Sequence, residues 1–192
     1  MSLDWTLFRN INGLAGRSAL VDTVIRLLMN DYLLTTALVL VLFALWFSGD
    51  SLEERLQNQM AVPSAVLAMF AGNLLIKVMN VLYYRPRPFA SHVVTLLFYR
   101  PSDSSFPSNA TAVGFSLATA VWLHNRKAGT AMFVMALLLG ASRVAGGVHY
   151  PSDVLAGMLM GAGAGYVVTR KWRFLERIWA VVISLMRRWL LA

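Results

Sequence analysis

An all-α, polytopic membrane bundle is the fold class this sequence predicts, on three observations. Of its 192 residues 58% are hydrophobic and 14% charged, and mean hydropathy is +0.61, too apolar for an ordinary soluble domain. The apolar residues gather into runs long enough to cross a bilayer, separated by short polar or proline-rich stretches. At ~20 residues per span there is room for five or six spans and none for a second domain, so residues 1–192 read as one unit.

Residues 1 to about 30 mix Leu3, Leu7, Phe8 and Ile11 with Asp4, Arg9, Asn10 and Arg17, which suits a helix lying in the interface. No cleaved signal peptide is expected, because the start lacks a basic stretch leading into an apolar run. A first span follows at about Tyr32 to Phe47, then a polar loop from Gly49 to Asn58, then a second span from about Met60 to Tyr84. The segment Arg85 to Phe106 holds Pro86, Pro88, Pro101 and the run Ser102-Asp103-Ser104-Ser105, so it is expected outside the hydrocarbon.

Pro107 suits the first turn of a third span ending near His124, where a missing N–H costs nothing. A fourth span covers about Ala128 to Ser142 and a fifth about Pro151 to Val168. In the fifth, Gly157, Gly161 and Gly165 share one face, open to close approach by another helix of the same bundle. The tail from Lys171 to Ala192 has only a short apolar run and reads as an interfacial helix, with a sixth span as the alternative.

The net charge of +8 lies beside apolar spans, where anionic lipid is the natural partner, so no nucleic acid is expected. Arg55, Arg126, Lys127, Arg170, Lys171, Arg173, Arg177, Arg187 and Arg188 fall on one side of a five-span layout, and the positive-inside rule makes that side cytoplasmic. Arg85, Arg87, Arg100 and Arg143 fall on the other side, against the rule, which marks them for chemistry. The substrate is then reached from the extracytoplasmic face of a multi-pass protein of the cell membrane. A transporter is disfavoured because the charges sit in loops and not at mid-span.

The chemistry concentrates in Ser142-Arg143-Val144-Ala145-Gly146-Gly147-Val148-His149-Tyr150-Pro151-Ser152-Asp153, at a junction between two apolar segments. A guanidinium offers forked donors to phosphate oxygens, an imidazole can attack phosphorus, and a carboxylate four residues on can reach back to hold the imidazole's tautomer. A structural loop histidine with a capping aspartate is the plain alternative, and Arg143 tips the balance toward a phosphate site. The third span begins at Ser105-Phe106-Pro107-Ser108-Asn109, where the free N–H groups near Ser108 and Asn109 offer an anion cradle. The Ser108 hydroxyl could add a donor or simply cap the helix. In Arg85-Pro86-Arg87-Pro88 both arginines could approach one phosphate, and Lys77, inside the second span, either snorkels or serves the anion. His124 lies at the cytoplasmic end of a span, and His92 is in the active-side loop without an obvious partner.

With these residues in place the chain resembles the type 2 phosphatidic acid phosphatase superfamily of membrane lipid phosphatases. Ser142, Arg143, His149 and Asp153 match its third motif in full. Pro107 and Ser108 match the second, but Ala110 stands where that motif has histidine. Arg87 and Pro88 match the first, whose lysine position holds Asn80, with Lys77 one turn earlier. Pro86-Arg87-Pro88-Phe89 and Ser105-Phe106-Pro107-Ser108 are most similar to the bacitracin-resistance type undecaprenyl-diphosphate phosphatases.

The resemblance implies that His149 is a nucleophile forming a phosphohistidine, that Asp153 orients it, and that Arg87, Arg143, Ser108 and nearby amides hold the phosphate, with Lys77 and Arg85 as further candidates. It implies no metal and no cofactor. The implied substrate is a polyprenyl diphosphate lipid; a phosphatidylglycerophosphate or phosphatidic acid phosphatase is the nearest alternative. The family's second histidine protonates the leaving oxygen, which Ala110 cannot do, so the chain is expected to be slow or inactive. Ala110 reads first as an engineered replacement of that histidine. The alternatives are a binding protein without turnover, or an acid supplied from elsewhere, with His92 the candidate.

Overall fold

The computed structural model describes residues 2–171 and 174–188. All regular structure among them is helical: α1 (Leu3–Asn12), α2 (Ala19–Leu28), α3 (Leu33–Phe47), α4 (Leu52–Leu82), the single turn α5 (Pro88–Ser91), α6 (Asn109–His124), α7 (Arg126–Ala145), α8 (Pro151–Tyr166) and α9 (Phe174–Arg188). α8 continues into a π turn, Val167–Lys171. Two helices, α4 and α7, are long and apolar enough to cross a membrane, and α2 with α3, bent by 47°, would make a third. α6 and α8 have only 16 residues each.

α6 is the centre of the bundle, with α4, α7 and α8 packed around it. Its apolar inner residues, including Leu117, Ala118, Ala120 and Val121, meet Leu38 and Leu42 of α3, Ala61, Ala65 and Ala68 of α4 and Met132 of α7 in one core. Outward, Leu40, Phe43, Phe70, Leu74 and Leu159 are exposed, an apolar surface suited to acyl chains and not to water.

The glycine face of α8 does pack inside the molecule. A Cβ on Gly157 would lie 2.5 Å from the Ser108 carbonyl oxygen, on Gly161 2.2 Å from that of Ala112, and on Gly165 2.8 Å from that of Ser116. All three oxygens belong to α6 or its cap, so α8 lies against backbone and registers its first turn beside the start of α6.

Several boundaries differ from the sequence reading. The first thirty residues form two helices, since α1 ends at Asn12 and Ser18 caps α2 by accepting from the Val21 amide. The polar stretch from Gly49 to Asn58 is mostly helix: the Ser51 hydroxyl accepts from the Glu54 amide and starts α4 at Leu52. Pro107 lies before the cap of α6 and not in its first turn, because Ser108 is the N-cap. Arg143 belongs to the last turn of α7, leaving Gly146–Tyr150 as the loop.

The helix ends sort onto two sides. Asn125 Nδ2 donates to Asn58 Oδ1 (2.9 Å), joining the α6–α7 turn to the start of α4, the side that carries Arg55, Arg126 and Lys127. Arg173 lies outside the described residues, as do the side chains of Arg177, Arg187 and Arg188. The ends of α4 and α7 and the starts of α6 and α8 gather on the opposite side. α1 braces that side, where Asn12 Nδ2 donates to the carbonyls of Thr95 and Ala145, both at 2.8 Å.

Candidate active site

His149 is placed by the turn between α7 and α8. Gly147 holds φ at +89°, and a Cβ there would lie 2.7 Å from the Thr95 carbonyl oxygen, so this corner needs glycine. The turn is closed by the Val148 amide donating to the Arg143 carbonyl at 3.1 Å. Pro151 then opens α8, and the Tyr150 amide donates to Asp153 Oδ2 (2.8 Å), which fixes the carboxylate under the helix start.

The imidazole is almost wholly buried. Nδ1 lies 2.8 Å from the Ser105 carbonyl oxygen, an acceptor only, so the proton belongs on Nδ1. Nε2 is left with its lone pair and lies 3.2 Å from Nη1 of Arg87. Burial first, and the Arg87 charge next, lower the histidine's pKa below 6.5, while Asp153 and Ser105 pull the other way and lose. A neutral imidazole is the nucleophilic form once Nε2, which accepts from Arg87 Nη1 here, exchanges that hydrogen bond for phosphorus.

Asp153 does not bond the imidazole as the sequence reading expected. Its Oδ2 is 3.8 Å from Nδ1, beyond hydrogen-bond reach. That oxygen accepts from the Ser105 hydroxyl (2.6 Å) and the Tyr150 amide instead, so the carboxylate steadies the residue whose carbonyl orients the histidine. Ser105 is therefore the orienting residue that the sequence left unassigned. Its signal was the polar run Ser102–Ser105 just before the helix.

Nε2 faces a cavity of about 140 Å³ lined by Arg87, Arg143, His149, Asn109 and Ala110, and also by Asp31, Tyr99, Pro101, Asp103, Ser104 and Pro107. The Ser108 side chain does not cap α6, so the first-turn N–H groups at Asn109 and Ala110 are left for an anion. Each cavity arginine is held by a carboxylate: Arg87 Nη2 by Asp103 (2.8 Å) and Arg143 Nη2 by Asp31 (2.7 Å). Arg143 Nε is buried without a partner, a donor in reserve.

Other predicted residues are not brought to this cavity. Ser108 is fully buried and its hydroxyl pairs with that of Thr111 (2.9 Å). Lys77 is exposed on α4, and neither it nor Asn80 is on the cavity wall. Arg85 points behind the site, to Asp153 Oδ1 (2.5 Å), Ser152 Oγ (2.7 Å) and Asp4 Oδ2 (2.6 Å). Of the two arginines, only Arg87 is on the cavity wall. His92 stacks on Trp5 at 3.8 Å and is likewise absent from the wall.

An apolar-surfaced helical bundle with a neutral histidine, two arginines and a helix N-terminus around one small polar cavity is the architecture of a membrane phosphatase. The PAP2 superfamily profile matches residues 61–177, and the chain belongs to that superfamily. It is 30% identical to undecaprenyl-diphosphatase BcrC of Bacillus subtilis over 88% of this chain and 83% of that one. The bacitracin transport permease protein BcrC of Bacillus licheniformis is 35% identical over 80% of this chain and 73% of its own. The crystal structure of Aquifex aeolicus LpxE superposes with a TM-score of 0.67 at 31% identity, covering 88% of this chain and 95% of that one.

Proposed function

We propose that this chain removes the terminal phosphate of a polyprenyl diphosphate at the extracytoplasmic face, through a phosphohistidine on His149. The observation that carries the reading is Nε2 of His149, unprotonated and turned into a cavity walled by Arg87 and Arg143. The Nε2 lone pair forms a P–N bond while the P–O bond to the lipid monophosphate breaks and its electron pair leaves on the bridging oxygen. Water then attacks the phosphohistidine, releasing phosphate and restoring the imidazole.

The phosphate oxygens take the place of Asp103 on Arg87 and meet Nε of Arg143 and the amides at Asn109 and Ala110. Asp153 acts by positioning Ser105 and the α8 start. No metal or cofactor enters these steps. The lipid tail has a groove of about 480 Å³ lined by Leu27, Leu33, Ala37 and Leu40, where Asn30 and Tyr32 of the wall flank Asp31 of the catalytic cavity. The facing is argued from Arg55, Arg126 and Lys127 lying at the other end of the bundle. The BcrC relatives, named for undecaprenyl diphosphate and bacitracin, favour this substrate over phosphatidylglycerophosphate or phosphatidic acid.

Ala110 removes an acid whose help to a strongly basic leaving oxygen is worth ~100- to 10,000-fold, but a diphosphate, whose leaving phosphate has a pKa of about 6, depends on it far less. The test is phosphate release in detergent from undecaprenyl diphosphate, phosphatidylglycerophosphate and phosphatidic acid, by the chain and by its Ala110→His variant. The diphosphate is expected to be cleaved fastest, and Ala110→His to gain over the parent chiefly on the monoester lipids. Faster cleavage of either monoester lipid would transfer the assignment to that lipid. Binding without turnover in both proteins would make this a lipid-phosphate binding protein.

A further inference from the structure

We propose that Tyr99 is a catalytic residue that protonates the leaving oxygen in place of the histidine whose position Ala110 holds; the inference rests on the phosphatase reading above. Tyr99, Ala110 and His149 line one cavity. Two other titratable groups on that wall, Asp31 and Asp103, are ion-paired with Arg143 and Arg87. The Ser104 hydroxyl is spent on the Phe106 carbonyl (3.0 Å). That leaves the Tyr99 phenol as the proton carrier.

Its placement fits the role. The ring lies 4.1 Å from that of Phe98, tilted by 34°, and the Phe98 ring in turn lies 4.8 Å beneath the Arg143 guanidinium. The hydroxyl donates to Asp31 Oδ2 at 3.2 Å, a long bond that is easily given up to a better acceptor. With 61% of its surface exposed, Tyr99 sits at the cavity mouth, where a lipid leaving group departs. Burial, followed by the Asp31 charge, raises the phenol's pKa above 10, so the proton is present at neutral pH.

The step balances. As Nε2 forms the P–N bond and the P–O bond breaks onto the leaving oxygen, the Tyr99 O–H passes its proton to that oxygen and becomes a phenolate beside Arg143. When water attacks the phosphohistidine, the phenolate takes the water's proton, and the P–N electron pair returns to Nε2. For an alcohol leaving group, whose conjugate acid is about as weak as water (pKa ~16), transfer from a phenol is downhill. A diphosphate leaves as a phosphate monoester, with a pKa of about 6, and gains little.

That difference is the test. Tyr99→Phe is compared with the parent chain, each with and without Ala110→His, on phosphatidic acid and on undecaprenyl diphosphate, with melting temperature in detergent as the control. Tyr99→Phe is expected to slow phosphatidic acid hydrolysis ~100-fold and diphosphate hydrolysis less than ~3-fold, and the loss is expected to vanish once Ala110→His is present. Equal losses on both substrates would reveal a merely structural role and overturn the proposal, as would no loss on phosphatidic acid. A parent inactive on phosphatidic acid beside an active Ala110→His variant would also overturn it. If neither protein hydrolyses either lipid, the phosphatase reading itself fails and takes this one with it.

Discussion

Nη1 of Arg85 lies 2.5 Å from Oδ1 of Asp153, a carboxylate with no exposure to solvent. The same guanidinium reaches Asp4 Oδ2 at 2.6 Å and covers the Tyr150 ring at 4.0 Å, so α1 is tied to the start of α8 through one arginine. Arg85→Ala would leave Asp153 buried without its cation, a loss of about 3–5 kcal/mol. Asp4→Asn breaks a partly exposed pair and should cost about 1 kcal/mol or less. Thermal unfolding in detergent is expected to rank the parent above Asp4→Asn and both well above Arg85→Ala.

The Asp4 pair also has a pH signature. Burial raises the Asp4 pKa, but the Ser152 hydroxyl and Arg85 outweigh it, so the net shift is downward from 3.8. The stabilisation is therefore complete above 3.8 and fades as pH falls through the folded-state value. The melting gap between parent and Asp4→Asn should be constant near neutrality and shrink only below about pH 4.

His149 carries the opposite kind of dependence. Burial, reinforced by Arg87, puts its folded pKa below 6.5, so the unfolded chain binds the proton first as pH drops. Stability should then fall as pH drops below 6.5 and level off beneath the folded pKa, while Nε2 stays available at pH values where a free histidine would be charged. Arg87→Gln removes a cation 3.2 Å away and should move the titration upward. Histidine 15N shifts followed across pH would register that movement, and an unmoved titration would rule out the Arg87 contribution.

The half of this geometry around His149 was legible because its parts are local. The spacing of Arg143, His149 and Asp153 crosses one turn, and the glycine repeat of α8 reports its own packing face. The missed parts are long-range. Arg85 meets Asp4 across 81 residues and Arg143 meets Asp31 across 112, and no periodicity encodes such pairs. Ser108 and Thr111 share a helix face three residues apart, so the hydroxyl found a neighbour instead of the cavity. The start of α4 was readable from Ser51 and Glu54, but the polarity of Gly49 to Asn58 spoke louder than the cap.

Gly161 and Gly163 offer substitutions of opposite sign on one helix. A methyl on Gly161 would sit 2.2 Å from the Ala112 carbonyl oxygen, which is backbone and cannot swing away, so α8 must lift from α6. On Gly163 the methyl meets nothing within 4 Å. Gly161→Ala should lower the melting temperature and reduce turnover, because the start of α8 carries Asp153. Gly163→Ala should raise stability by about 0.5–1 kcal/mol through helix propensity, with turnover unchanged.

On the proposed reading, Asp103 competes with the substrate for Arg87. Its carboxylate is 2.8 Å from Nη2 and largely exposed, so an entering phosphate must displace it before the guanidinium can close on a phosphoryl oxygen. A pair whose carboxylate is this exposed is worth on the order of 1 kcal/mol or less, which sets the penalty that the bound anion overcomes. Asp103→Asn keeps the loop's shape but removes the competing charge, so inorganic phosphate should bind up to ~5-fold more tightly. Arg87 also holds the Asp103 and Val148 carbonyls, at 3.1 and 2.9 Å, so the guanidinium stays in place when the carboxylate is neutralised. The check is phosphate inhibition, or calorimetric titration of phosphate, at fixed ionic strength. A tighter constant means that the carboxylate screens the site, whereas a weaker one would mean that Asp103 positions Arg87 more than it competes with the anion.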